Sequence, residues 1–400
     1  MKRYLAIIIC IIFTIVVITT FYIKTVIAGG DFPEYVLEKV SGDESLTEQL
    51  VLYGDYVKDS QYESFRIINN ESFYNSELSI FEKAIGVREP IFDKWIKEHR
   101  NFMRGKDLFT GYFYEDEQQF VYANLVQKGN SKFIFDIAAL NKKNNEKASF
   151  TMDLQENSKI GYAQVLDVQV NNDNQVQVIV QNYYYNEGDN QEYRLYTFDI
   201  GKKKLIGNEL IASVDTGAMG WNESYFANNE EYTGRNQYLV LKRYASDQKY
   251  GEYGEPVGEP IVLMDDYVIF NTDTFEKETI TIPEEMAVSG LSVNQSTIYF
   301  SETNEDGLKV VPYDIESKSF GTPVVFGKKS GIEQVDMFQL YQDKIYIVHS
   351  NPETSKETWI TIGSLDSGKI LYEGKIKEKS KANKDDEAHT MNISDLSVYE

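Results

Sequence analysis

The chain has 400 residues, 42% hydrophobic and 26% charged, a balance that excludes a wholly disordered chain and a multi-spanning membrane protein. Its 63 acidic side chains outweigh 40 basic ones, giving a net charge of −23, and all of the acids lie after residue 30. Duplex nucleic acid needs a cationic footprint, which this composition does not supply.

The chain opens Met1-Lys2-Arg3-Tyr4 and runs from Leu5 to Ile23 without a charge. As a helix rising ~1.5 Å per residue, that run spans ~28 Å, close to the hydrocarbon thickness of a bilayer. Lys2 and Arg3 place the N-terminus in the cytoplasm by the positive-inside bias. The expectation is a cytoplasmic stub at residues 1–4, a transmembrane anchor at 5–23 and an extracytoplasmic body. Val26-Ile27-Ala28 keeps open a competing reading, a signal peptide cleaved after Ala28. Cys10, the only cysteine, lies inside the run, so no disulfide supports the body.

Residues 31–118 read as a small α+β segment. Leu50–Val57 and Ser64–Ile68 are short strands, and Ser79–Ile85 is a helical turn. Glu89-Pro90 starts a helix whose apolar face carries Phe92, Trp95, Ile96, His99, Phe102 and Met103, ending near Gly105.

From Gln119 the pattern changes to paired strands. Gln175–Val180 alternates with period two, and similar runs occur at Phe120–Leu125, Tyr238–Lys242, Thr297–Ser301 and Lys344–His349. Each precedes a second strand: Phe133–Ile137, Arg194–Ile200, Asp266–Phe270, Lys309–Ile315 and Thr358–Ile362. Leu291-Ser-Val-Asn-Gln-Ser-Thr-Ile-Tyr-Phe and Phe338-Gln-Leu-Tyr-Gln-Asp-Lys-Ile-Tyr-Ile align position by position, 47 residues apart. This degenerate repeat over residues 119–375 resembles the irregular β-propeller-like extracytoplasmic proteins of Gram-positive bacteria. It carries neither a Trp-Asp blade dipeptide nor a kelch double glycine. The resemblance implies a mainly β fold of repeated antiparallel hairpins, with a pair of β-sandwiches as the alternative. Residues 376–400 read as a mobile tail or a closing strand, with Lys375–Glu387 charge-rich and mobile. Tyr250–Pro260 reads as an acidic loop between strands.

Chemistry is sparse. His99, His349 and His389 are scattered without metal-ligand spacing, and no Gly-x-Ser-x-Gly elbow is present, so neither a metal nor a cofactor is expected. The strand-exit acids Asp199, Asp314 and Asp366 fit turn capping better than catalysis. Glu302–Gly307 departs from a calcium loop at its first and twelfth positions, and Asn171–Asn174 reads as a turn. Tyr183, Tyr184, Tyr185, Trp221 and Tyr253 are candidate binding-face aromatics, set against ordinary packing roles. Together these features imply a membrane-anchored, non-catalytic binding or sensing module that docks another envelope protein or a wall polymer. The alternatives are a carboxylate-dependent glycan hydrolase or lyase, and a structural subunit of a membrane transport or signalling complex.

Overall fold

Alternation of apolar and polar residues builds most of the described residues into antiparallel strands. The computed structural model describes residues 12–14, 32–58, 61–78, 88–129, 132–154, 160–184, 190–216, 220–228, 232–249, 251, 255–283, 286–304, 306–328, 331–332, 334–350, 357–379 and 389–399. The stub at 1–4, the cleavage point after Ala28 and the helical turn at Ser79–Ile85 lie outside these residues. So does the anchor at 5–23, apart from residues 12–14, which are helical. Among the described residues, no helix is long and apolar enough to cross a membrane.

The chain divides into two units. The first comprises Met1–Glu89, Phe326–Leu340 and Lys344–Val398. Its early strands are β1 (Tyr35–Gly42), β2 (Leu50–Lys58), β3 (Gln61–Ile68) and β4 (Glu71–Tyr74). The second unit holds two short helices, α1 (Pro90–Glu98) and α2 (Arg100–Met103), and four sheets. In chain order these contain β5 (Phe113–Glu115), β6 (Gln119–Lys128), β7 (Lys132–Asn141) and β8 (Lys147–Asp153); then β9 (Ile160–Val170), β10 (Val176–Tyr184), β11 (Gln191–Asp199) and β12 (Lys204–Val214). The third contains β13 (Gly220–Asn222), β14 (Tyr225–Phe226), β15 (Tyr238–Asp247), β16 (Ile261–Asn271) and β17 (Lys277–Ile280). The fourth contains β18 (Gly290–Asn294), β19 (Thr297–Asn304), β20 (Gly307–Asp314) and β21 (Ser319–Phe320). After β22 (Val324–Gly327) come β23 (Gln334–Tyr341), β24 (Lys344–Ser350), β25 (Thr358–Ser364), β26 (Ile370–Glu378) and β27 (His389–Val398).

Sheets of four or five antiparallel strands, most of whose neighbours are consecutive in the chain, make the fold mainly β and propeller-like. The repeated hairpins correspond to β6–β7, β10–β11, β15–β16, β19–β20 and β24–β25.

Within the first unit the chain ends exchange strands. N-terminal β1 pairs with β26, whereas C-terminal β27 pairs with β2. Residues 31–118 therefore form no separate α+β segment. Their strands β1–β4 complete sheets with residues more than 300 positions later, because β2 needs a partner on its free edge. Lys375–Glu378 likewise belong to β26 rather than to a mobile stretch. Ile376 is buried, while Lys377 and Lys379 pair with Glu38 (2.7 Å) and Glu34 (2.9 Å), so this charge run is the polar face of a paired strand. Gly42 ends β1 at φ 86°, and a Cβ there would lie 2.0 Å from the Leu371 carbonyl oxygen.

In the second unit, Pro90 occupies the first turn of α1, where its missing N–H costs nothing. The helix breaks at His99 (φ −126°), earlier than the expected end near Gly105. Phe92, Trp95, Phe102 and Met103 nevertheless all pack on Phe113, Phe120 and Tyr122. Burying each large side chain stabilises by about 1.5–3 kcal/mol.

Candidate binding site

Four tight turns of the second unit follow one rule. The last residue of β7, β11, β16 or β20 accepts hydrogen bonds from the turn that follows. Asn141 Oδ1 accepts from Lys143 N–H (3.0 Å), Asp199 Oδ1 from Lys202 N–H (2.9 Å), Asn271 Oδ1 from Asp273 N–H (2.9 Å) and Asp314 Oδ1 from Ser317 N–H (2.6 Å). Four residues on, Asn145, Lys203, Phe275 and Lys318 hold left-handed φ values of 58°, 53°, 59° and 54°. Hydrogen bonds from Lys202 and from Ser317 hold the Asp199 and Asp314 carboxyls below their usual range. Neither is the raised-pKa acid that glycoside hydrolysis requires. Asp366 is exposed in the turn after β25.

Two of these turns, after β7 and β11, line a groove of about 800 Å³ together with the β5–β6 and β9–β10 turns, within the range of small-ligand sites. The β5–β6 turn is shaped by Asp116. Its Oδ1 accepts from the N–H groups of Gln118 and Gln119 (both 2.7 Å), and its Oδ2 accepts from the Tyr114 hydroxyl (3.0 Å). Burial and this bond push the Tyr114 pKa up, so the hydroxyl remains a neutral donor. The β9–β10 turn is closed by Asn171, whose Oδ1 accepts from Asp173 and Gln175 N–H, with Asn174 left-handed at φ 57°. Gln119 Nε2 donates to Asn174 Oδ1 (2.9 Å), joining the two turns. Arg235 donates through Nη1 to Asn172 Oδ1 (3.0 Å) and pairs through Nη2 with Asp273, while its Nε is buried without a hydrogen-bond partner among the described residues.

The lining is dominated by six carboxamides: Gln118, Gln119, Asn141, Asn171, Asn172 and Asn174. Arg235 and Lys147 balance Asp116 and Glu146, so the formal charge of the groove is zero. A carboxamide carries both donors and acceptors; Asn171 uses both within its own turn, and the other five retain polar groups for a neutral ligand rich in hydroxyl groups. Asn171–Asn174 was recognisable as a turn. That the turns of two sheets converge with Arg235 had no signal in local sequence.

The candidate aromatics do not form one platform. Tyr183 is half-buried and packs its ring 5.6 Å from Tyr162, its cross-strand neighbour. The Tyr184 hydroxyl donates to Glu192 Oε2 (2.7 Å), and the side chain packs on the core between β6–β8 and β9–β11. Trp221, on β13, is 63% exposed and makes no ring contact among the described residues. Tyr185 and Tyr253 lie outside the described residues.

Among the described residues, Glu98, His99 and Glu115 form the single group with ligand atoms close enough for a metal, within 4.8 Å. Glu115 is already committed. Its Oε2 accepts from Trp95 Nε1 (2.6 Å) and its Oε1 from Lys142 Nζ (2.8 Å). Burial alone would raise its pKa, but these two bonds outweigh it and hold the carboxyl low. A cation would have to displace the Lys142 ammonium, so the cluster is better suited to fastening α1 to the sheet. In the first unit, His349 Nε2 lies 2.9 Å from Thr361 Oγ1, and His389 Nε2 is 3.5 Å from Glu378. Glu302 pairs with Lys309 (3.1 Å), and Asn304 Oδ1 accepts from Asp306 N–H (2.9 Å), the bonding of a hairpin turn rather than of a calcium loop.

No protein-family model matches the chain, and no curated protein matches it. Among solved structures, it is similar to cobalt-substituted Synechocystis ACO, at 10% identity and a TM-score of 0.39, covering 86% of this chain and 93% of that one. It is also similar to the β-propeller domain of the Trilobed protease from Pyrococcus furiosus, at 12% identity and a TM-score of 0.33, covering 88% and 86%. Similarity to a prolyl endopeptidase has a TM-score of 0.33 at 8% identity. It covers 84% of this chain, which spans about half (51%) of that one.

Proposed function

We propose that the chain is a non-catalytic binding module, tethered to a membrane by residues 5–23, whose extracytoplasmic body takes a neutral wall polymer in the groove. The observation that carries this reading is the lining of six carboxamides around charge-balanced Asp116, Glu146, Lys147 and Arg235. Sugar hydroxyls donate and accept at once, and carboxamides answer both roles. An anionic polymer would call for a surplus of cations, which this lining lacks. The anchor rests on the uncharged run from Leu5 to Ile23 behind Lys2 and Arg3.

The test is calorimetric titration of the full-length protein in detergent with neutral oligosaccharides, including N-acetylglucosamine oligomers. Binding that weakens at least tenfold in both Asn172→Ala and Gln118→Ala supports the reading. Absence of binding to every neutral glycan removes it, and release of shortened sugars would replace it with hydrolysis.

A further inference from the structure

The outer edge of β16 is covered along only half its length. β15 pairs with it from Ile261 to Asn271, whereas β17 covers the opposite side only from Tyr267 to Phe270. Among the described residues, no strand and no backbone hydrogen bond caps Ile261–Asp266 on that side. Such an edge is a row of N–H and C=O groups that one more strand would satisfy.

Natural edges are commonly blunted by charge or cover, but this one begins with three consecutive apolar residues. Ile261, Val262 and Leu263 are 51%, 53% and 46% exposed, so apolar surface is open on both faces of the strand. Ser246 pairs with both Trp221 and Val262, which places the exposed indole on the face that carries Val262. Beyond them the ladder continues as an arm, with Val257 N–H donating to Lys249 O (2.7 Å) and Gly251 N–H to Glu255 O (2.8 Å).

Charge decides the occupant. From Asp247 to Asp265 the chain carries five acids against the single base Lys249. Asp265 and Asp266 are already paired with Lys242 and Arg243 of β15, so the acidity that bears on an incoming strand is that of the arm, Glu255 and Glu259. We propose that Ile261–Asp266 is a strand-addition site that receives an extended basic segment of another protein, one alternating apolar residues with lysine or arginine. The backbone ladder supplies affinity, the apolar triplet Ile261, Val262 and Leu263 holds the alternate side chains, and the acidic arm selects the charge. This surface is independent of the groove.

The probes are three fluorescent peptides: alternating valine and lysine, alternating valine and glutamate, and the lysine peptide N-methylated at alternate amides. Each is titrated into the full-length protein by anisotropy, with amide hydrogen exchange followed in parallel. The lysine peptide is expected to bind and to slow exchange at residues 261–266 at least tenfold. Val262→Lys and Leu263→Lys, both at exposed positions, should weaken it at least tenfold with an unchanged melting curve. Unchanged exchange at 261–266, or equal binding of the N-methylated peptide, overturns the proposal. So does concentration-dependent protection of these amides without peptide, which would indicate a second copy.

Discussion

Gln295 and Gln342, 47 residues apart, hold the same left-handed backbone, φ 52° and 54°, at the first position of matching two-residue turns. The turns join β18 to β19 and β23 to β24, the two segments whose sequences align. A left-handed backbone costs a non-glycine residue about 1–2 kcal/mol, and a β-branched residue more. Gln295→Val and Gln342→Val should each destabilise by about 1–2 kcal/mol in urea melts, whereas the glycine variants should stay within about 1 kcal/mol of the parent.

His349 governs an acid-sensitive part of the first unit's stability. Burial in β24 lowers its pKa to about 4, and its Nε2 faces Thr361 Oγ1. The unfolded chain takes up the proton near the ordinary value of about 6.5, before the folded state does. Stability is therefore complete above that value and falls progressively as pH drops from about 6.5 to about 4, by up to about 3 kcal/mol. In His349→Gln, urea midpoints measured across this window should lose that component of their slope.

The exchanged terminal strands should stand or fall together. Leu37 on β1 and Leu396 on β27 are both buried. Leu37→Ala and Leu396→Ala should each cost about 2–5 kcal/mol. Hydrogen exchange should then rise in β2 and β26 alike, whichever terminus carries the change.

Lys106 should be the most electrophile-sensitive lysine relative to its exposure. Its ammonium sits over the rings of Phe102 (4.5 Å) and Tyr122 (4.0 Å). Burial lowers its pKa to about 8 against the opposing pull of Asp136. At pH 8 roughly half of it is the free amine, against less than about 1% for an ordinary lysine. Mass spectrometry after limited acetylation should find Lys106 modified ahead of exposed Lys132, and Lys106→Arg should abolish that early product.

Removing the Asp116 carboxylate should disturb the groove and the fold differently. Asp116→Ala leaves the Gln118 and Gln119 amides and the Tyr114 hydroxyl without their acceptor. A stability loss of about 1–3 kcal/mol is expected in urea melts. Neutral-glycan affinity should fall at least tenfold at temperatures where the variant remains folded.

Local pattern carried the hairpins well, because period-two alternation in Gln175–Val180 or Lys344–His349 is itself the physical requirement for a half-buried strand. The aromatic and apolar face of residues 92–103 was legible too, although the break at His99 was not. What escaped reading depends on distance along the chain. Leu50–Val57 looks like a strand, but nothing local shows that its neighbour is His389–Val398. The charges of Lys375–Glu378 suggested mobility because Glu34 and Glu38, which meet the neighbouring Lys379 and Lys377, lie more than 300 residues earlier. The groove was hidden for the same reason. Asn171–Asn174 read only as a turn, Asp116 and Arg235 carried no signal, and only the packing of the sheets brings them together.

The strand exchange between β1 and β27 also sets a clock on biosynthesis. The sheet begun by residues 50–74 stays one strand short until residue 398 has left the ribosome, and the last sheet must recapture residues 35–42 made long before. The first unit is thus the last part of the nascent chain to become native.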